Sequence, residues 1–513
     1  MQPASFPGSL QNRLLKGLGA NLLGQIINLA SRVLLVPLFL LAWGAEVYGE
    51  WLVLSSLAAY LALTDLGGQN YIVNRLTQAY ARQDLPLFKK VLHSGLALYL
   101  VLPGLVFALF TGAILWCPAA GLLKIKAASP RTVTWVLVIM AGQFLFSLPQ
   151  GLLLGVYRAV GLLPRGVMLA NLMQLLALAL MATGLWLRGG MVAVACLQVL
   201  PFLLAALVAL GDLDRLFPHF QLLSFKEANF PTARSFIKPS LAFFGIQVSQ
   251  AFSLQGTVLL VGMLLGALPV VIFTTLRTIV STMRQFLDQL FHTAWPELTR
   301  LDAQQQADKF HVLFRGLLRT GLLGTLIFMA IFHFFGAEIY HFWLRGTVPF
   351  NQNLLDLFLI LMAQMTFWLA CRHPLLAINR HQQVAQMTVA SSLVSLALAY
   401  GGGRFWGLPG VVLGMIAGDL LLPFWYMPYL LNRYQAQFSL GFFTRELGAF
   451  VAGLALVVLA PWLAPLVFLL ALLWWLCCLP GKEVGGEGAL TIVSALDFLK
   501  EPLVKWRIKK DDF

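Results

Sequence analysis

Charge is what this 513-residue sequence has least of. Only 11% of its residues are Asp, Glu, Lys or Arg, against about 25% in a soluble globular chain. That shortage excludes a string of water-soluble domains, whose surfaces so few charges would not cover. It excludes disorder and coiled coil for the same reason. Cysteine is scarce too: Cys117, Cys196, Cys371, Cys477 and Cys478 lie in or beside apolar segments with no CxxC pair. Neither a disulfide framework nor a thiolate metal site is expected. HExxH, P-loop, GxSxG and dinucleotide fingerprints are all missing, so no catalytic residue, metal or organic cofactor is expected. The longest polar connection, about 211–237, is too short to fold alone, which weighs against a membrane glycosyltransferase or ligase.

Apolar sequence is abundant, at 59% of residues. A helix needs about 20 predominantly apolar residues to cross a bilayer. Spans of that kind are expected near 14–42, 48–66, 91–116, 132–155, 166–187, 190–210, 238–264, 268–294, 311–335, 354–378, 384–400, 408–431, 446–462 and 464–480. The fold class is therefore an all-α polytopic membrane protein of about 14 helices. The first apolar stretch is longer than a signal-peptide core of about 7–15 residues and reads as a retained first span.

The 35 Lys and Arg residues sort by membrane side. With both termini cytoplasmic, Lys124, Lys126, Arg131, Arg188, Arg345 and Arg404 fall in outer loops. Arg32, Arg277 and Arg284 fall inside spans, and the other 26, with Arg319 and Arg372 among them, fall on the cytoplasmic side. That asymmetry sets the orientation. The net charge of +14 is then a membrane signature rather than a nucleic-acid one.

The chain also resembles itself at an offset of 222 residues. Gln25 meets Gln247, Gly44-Ala45 meets Gly266-Ala267, and Leu76-Thr77 meets Leu298-Thr299. Gln83 meets Gln305, Phe88 meets Phe310, Leu153-Leu154 meets Leu375-Leu376, and Arg158 meets Arg380. After a two-residue deletion Trp186 meets Trp406 and Gly190 meets Gly410. Six spans per copy is an even number, so both copies insert alike, as a parallel repeat with a pseudo-twofold axis along the membrane normal. The expected organisation is an amino-terminal lobe over 1–211, a cytoplasmic connection over 212–237 and a second lobe over 238–433. Two further helices follow over 434–480, then a basic cytoplasmic tail over 481–513.

Charge inside a bilayer is costly, about 2.5–3.5 kcal/mol per residue at the centre on insertion scales, so its placement is informative. Arg277, Ser281, Arg284 and Asp288 follow i, i+4, i+7 and i+11, one face of a helix. Asn21, Gln25, Asn28 and Arg32 repeat that spacing in the first span, and Gln247, Gln250 and Gln255 lie in the seventh. Such stripes suit the walls of a water-filled cavity between lobes. The competing reading is internal pairing, Arg284 with Asp288 and Arg32 with Asp65. The arginines outnumber those acids, and an unmatched guanidinium suits an anion, phosphate above all. Asp65, Asp288 and Asp419 are candidates for coupling or counter-ion roles. Asp356 is as readily a helix-end carboxylate. Gln143 and Gln364 are explained by interhelical hydrogen bonds.

Several segments resemble polysaccharide-biosynthesis flippases of the Wzx type, in the multidrug/oligosaccharidyl-lipid/polysaccharide (MOP) exporter superfamily. They are Gly44-Ala-Glu-Val-Tyr-Gly-Glu-Trp51, Leu63-Thr-Asp-Leu-Gly67 with the basic helix after it, Thr275-Leu-Arg-Thr278, and Trp295-Pro-Glu-Leu298. The resemblance implies two six-helix lobes, MATE-like in arrangement, plus two carboxy-terminal helices. It implies translocation of a polyprenyl-diphosphate-linked oligosaccharide, a repeat unit of O-antigen or a related polysaccharide, across the bacterial inner membrane. Arg32, Arg277 and Arg284 would hold the diphosphate, a proton or Na⁺ would supply coupling, and a polymerase and assembly proteins would be partners alongside membrane lipids. A drug or metabolite antiporter of the same superfamily and a non-transporting assembly scaffold are the alternatives. The first would call for an acidic cavity, and the second would leave the arginines without a use.

Overall fold

With no water in a bilayer core, apolar runs of this length must close their backbone hydrogen bonds internally, and here they do so as helices. The computed structural model describes residues 10–116, 119–222, 224–378, 380–435 and 438–459. Its helices are α1 (Leu10–Ala59), α2 (Gly68–Ala81), α3 (Leu85–Trp116), α4 (Ala119–Leu122), α5 (Pro130–Ala159), α6 (Leu163–Trp186), α7 (Met191–Leu216) and α8 (Phe230–Ala251). They continue as α9 (Thr257–Leu265), α10 (Ala267–Thr293), α11 (Trp295–Ala303), α12 (Ala307–Leu344), α13 (Gln352–Ala377), α14 (His381–Leu421), α15 (Pro423–Tyr434) and α16 (Leu440–Leu459). No strand occurs among the described residues.

Nine stretches among the described residues are long and apolar enough to cross a membrane. The first two expected spans lie on either side of Gly44 in α1, and the eleventh and twelfth are separated by Gly407 in α14. Both glycines have positive φ, 75° and 63°, where a Cβ would be strained. The seventh span is α8 and α9 joined by a π-helical turn, Phe252–Gly256. The eighth is α10, which is not among the nine. The thirteenth is described as far as Leu459, while the fourteenth span (464–480) and the basic tail lie outside the described residues.

The internal repeat is written in backbone geometry as well as in letters. Gly44 (φ 75°, ψ 172°) and Gly266 (φ 94°, ψ −173°), 222 residues apart, break their helices alike. Gln83 and Gln305 share a left-handed φ of 57° and 55°. Around them the same hydrogen bonds recur: Arg82 N to Gln78 O and Asp84 N to Ala79 O in one copy, Gln304 N to Arg300 O and Gln306 N to Leu301 O in the other. Each is the left-handed closure that satisfies the last carbonyls of a helix. Thr77 and Thr299 both bond the carbonyl four residues back. Leu76 and Leu298, and Phe88 and Phe310, are fully buried. Gly190 and Gly410 differ: only the second sits against another backbone.

The described residues divide into two compact units. The first takes residues within 1–282, 336–358 and 385–419. Its core gathers Ile72, Leu76, Phe88, Leu92, Leu152, Val156, Leu213 and Phe236 from α2, α3, α5, α7 and α8. Polar ties add register: Asn171 Nδ2 donates to Ala20 O and Trp43 Nε1 to Gly189 O, both bonding α1 to the α6–α7 hairpin. The buried Glu50 carboxylate accepts the N–H groups of Lys126, Ala127 and Ala128 at 2.6–2.8 Å. The second unit takes residues within 283–335, 359–384 and 420–513. Phe291, Leu298, Phe310, Phe314, Leu318, Phe367, Met427 and Phe438 are buried there.

Candidate functional site

Two constellations carry the polar chemistry, one in each unit. In the first, the chain leaves α1 through a 3-10 turn, Tyr60–Asp65, and reverses at the left-handed pair Leu66 and Gly67. That turn buries the Asp65 carboxylate. Tyr99 Oη donates to Asp65 Oδ1 at 2.5 Å, the Gln69 N–H donates to the same oxygen at 3.1 Å, and Gln247 Nε2 donates to Oδ2 at 2.7 Å. The bonds of Asp65 go to these neutral donors rather than to Arg32, so the pairing offered by sequence is replaced by a hydrogen-bonded cage.

Arg277 lies on α10 and reaches the π-helical turn. Its Nη1 donates to Leu254 O at 2.9 Å and to Thr257 Oγ1 at 3.0 Å, and its guanidinium lies over the Phe273 ring at 5.1 Å. A π turn displaces carbonyls from the i−4 ladder. Leu254 O is one that Arg277 recovers.

The second constellation begins two turns further along α10. Arg284 Nη1 and Asp288 Oδ2 are 3.3 Å apart, so this expected internal pair is present. The other carboxylate oxygen faces His373 Nε2 of α13, also at 3.3 Å. Arg372, next to His373, acts electrostatically on both Asp288 and Arg284.

The remaining expected residues are more dispersed. On α1, Asn21, Gln25 and Arg32 are exposed and Asn28 is half-buried. On the α8–α9 segment Gln250 is exposed and Gln255 half-buried, within the π turn. Ser281 Oγ donates to Thr278 O, and Asp419 accepts from Ser391 Oγ across the two arms of α14. Asp356 accepts from Gln352 one turn before it. No group of three or more His, Cys, Asp or Glu suited to a metal occurs among the described residues.

Sequence reasoning missed four participants. Tyr99 is an aromatic in an apolar helix, with nothing to separate it from core. Arg372 reads as part of a cytoplasmic connection because it lies near the end of an apolar run, and His373 beside it has no ligand spacing. Arg319, counted likewise, is buried in α12 and forks onto the buried Glu446 of α16, with Nε–Oε2 at 2.8 Å and Nη2–Oε1 at 2.5 Å. The available signal was position alone: both arginines fall within the limits of apolar spans.

The helical arrangement is similar in fold to solved MATE family transporters of the MOP superfamily and to a solved lipid II flippase. An inward-facing multidrug resistance MATE family transporter matches with TM-score 0.64 and 13% identity, over 81% of this chain and 95% of that one. The lipid II flippase MurJ, in an inward closed conformation, matches with TM-score 0.63 and 14% identity, over 91% and 98%. An outward-facing MATE family transporter matches with TM-score 0.54 and 14% identity, over 85% and 99%. At such identities the likeness is one of fold. No protein-family model and no curated protein sequence matches the chain.

Proposed function

We propose that the chain is a flippase of the Wzx type. It moves a polyprenyl-diphosphate-linked oligosaccharide from the inner to the outer leaflet of a bacterial cytoplasmic membrane by alternating access. The observation that carries this reading is α10, the eighth expected span, where two guanidinium groups sit along one helix one face-repeat apart, at Arg277 and Arg284. A diphosphate brings about two negative charges into a region of low dielectric, and fixed guanidiniums offset them where water does not. Arg32 on α1 adds a third. Release on the far side requires moderate binding, which suits arginines already engaged with protein acceptors.

In this reading both termini are cytoplasmic, in keeping with the basic residues on that side. A proton or Na⁺ supplies coupling, with Asp65, Asp288 and Asp419 as the carboxylates available. The lipid-linked cargo, membrane lipids and the polymerase and assembly proteins of a surface polysaccharide such as O-antigen are the partners.

The test is complementation of a flippase-deficient strain, with membrane expression measured for each variant. Arg277→Gln and Arg32→Gln are expected to reach the membrane and to restore less than a tenth of the surface polysaccharide. Full restoration by both variants removes the diphosphate role. Wild-type chain that fails to complement but exports cationic drugs transfers the protein to the antiporter class.

A further inference from the structure

The basic cluster in the second unit holds more donors than its one carboxylate uses. Asp288 faces Arg284 and His373, each at 3.3 Å, longer than the 2.7–2.9 Å usual for a charge-assisted bond. Arg372, next to His373 on α13, adds a second permanent cation. The Arg372 Nε and His373 Nδ1 atoms are shielded from solvent and have no hydrogen-bond partner among the described residues. Arg372 Nε is a donor whatever the tautomer of His373, and a buried donor left unmade is unfavourable. A structural ion pair would leave neither excess charge nor an idle guanidinium donor.

We infer that Arg284, Arg372 and His373 form a binding site for a phosphate-bearing anion, with Asp288 as the internal counter-ion that occupies it until the anion arrives. The site is reachable. The side chains of Arg284 and Asp288 are 26% and 28% exposed, while that of His373, at 4%, closes the inner end. Guanidinium forks match phosphate oxygens in bidentate fashion. His373 sets the charge: with Nε2–H directed at Asp288, its Nδ1 donates to an anion only when the ring is protonated. Anion binding therefore takes up a proton at His373. The groups facing that ring are Asp288 and His292 from α10, Arg372 from its own helix, and the rings of Phe291 and Trp295. This inference rests on the flippase reading and deepens it by adding Arg372 and His373 to the phosphate site at Arg284, and its test is binding rather than transport.

The experiment uses the full chain purified in detergent. It is titrated with inorganic pyrophosphate and, separately, with farnesyl diphosphate, and followed by thermal shift and by phosphorus NMR. The expected result is stabilisation by at least one ligand, several-fold tighter at pH 6 than at pH 8. Affinity is expected to fall at least tenfold in Arg372→Gln and to rise in Asp288→Asn, where the competing carboxylate is gone. Arg165→Gln, which removes an exposed residue paired with Asp212, is expected to change nothing. The rise in Asp288→Asn keeps the test independent of any folding defect in Arg372→Gln. Tighter binding of the prenyl ester assigns the site to a lipid-linked cargo. Binding of pyrophosphate alone supports the site but separates it from the flippase reading. No stabilisation by either ligand, or weaker binding in Asp288→Asn, overturns the inference.

Discussion

Gln247 Nε2 donates to Asp65 Oδ2 over 2.7 Å, tying α8 to the turn that closes the second apolar span. The same amide leaves its Oε1 buried and without a partner. Amide orientation is interchangeable at little steric change, so a flipped Gln247 would accept a hydrogen bond from Asp65 if that carboxylate carried a proton. Asp65→Asn mimics that state and is expected to cost under about 1 kcal/mol. Asp65→Ala strands Tyr99 Oη and Gln247 Nε2 and is expected to cost about 1–3 kcal/mol for each donor left without an acceptor. Thermal unfolding in detergent separates the two. Equal losses for Asn and Ala would show that the charge, rather than the hydrogen-bond pattern, is what the site requires.

Arg277 serves the backbone of the π turn, and its removal is expected to loosen that turn before it affects the rest of the molecule. A hydrogen bond from a charged donor is worth about 1.5–3 kcal/mol, enough for a tenfold or greater rise in local opening. Hydrogen exchange over residues 252–257 is expected to accelerate by that factor in Arg277→Ala and by less in Arg277→Lys, which keeps one donor in reach. Unchanged exchange in Arg277→Ala would mean the turn holds itself.

The polar stripe of α10 was legible because helical period alone puts Arg277, Ser281, Arg284 and Asp288 on one face. The partners were not. Leu254 O, the acceptor of Arg277, lies in a π turn, and no residue pattern announces that turn. Glu446 is 127 residues from Arg319, so their pairing depends on how α12 and α16 pack. The Gly44 and Gly266 breaks were readable as a repeated Gly-Ala, because a positive φ demands a residue type. Arg372 and His373 were hidden by an ambiguity of depth, since a basic residue near the end of an apolar run reads equally as loop or as core. Fold class followed from composition, whereas the site depends on contacts between distant segments.

Glycine is expected to be indispensable where the two arms of α14 meet. A Cβ on Gly410 would lie 2.0 Å from Gly402 O, and one on Gly402 would lie 2.1 Å from Gly410 O. Backbone cannot yield as a side chain can, so Gly410→Val must separate the arms. Overpacking of this kind costs about 1–3 kcal/mol or more. The expected outcome is a lower unfolding temperature for Gly410→Val and little change for Gly401→Ala, whose Cβ would meet open space. Equal tolerance of both substitutions would show that the arms do not pack this closely.

The Arg319–Glu446 fork gives the sharpest energetic test. Both side chains are nearly inaccessible, at 4% and 0% exposure, and Arg445 Nη2 approaches the same carboxylate at 3.7 Å from an exposed position. Removing one member of a buried pair leaves the other charge desolvated and costs about 3–5 kcal/mol, whereas replacing both by apolar groups of similar volume is often neutral. Glu446→Leu and Arg319→Met are therefore each expected to lower the unfolding temperature strongly. The double variant is expected to recover most of that loss, giving a coupling energy of several kcal/mol in a double-mutant cycle. Additive losses in the double variant would mean that the fork is not formed in the membrane.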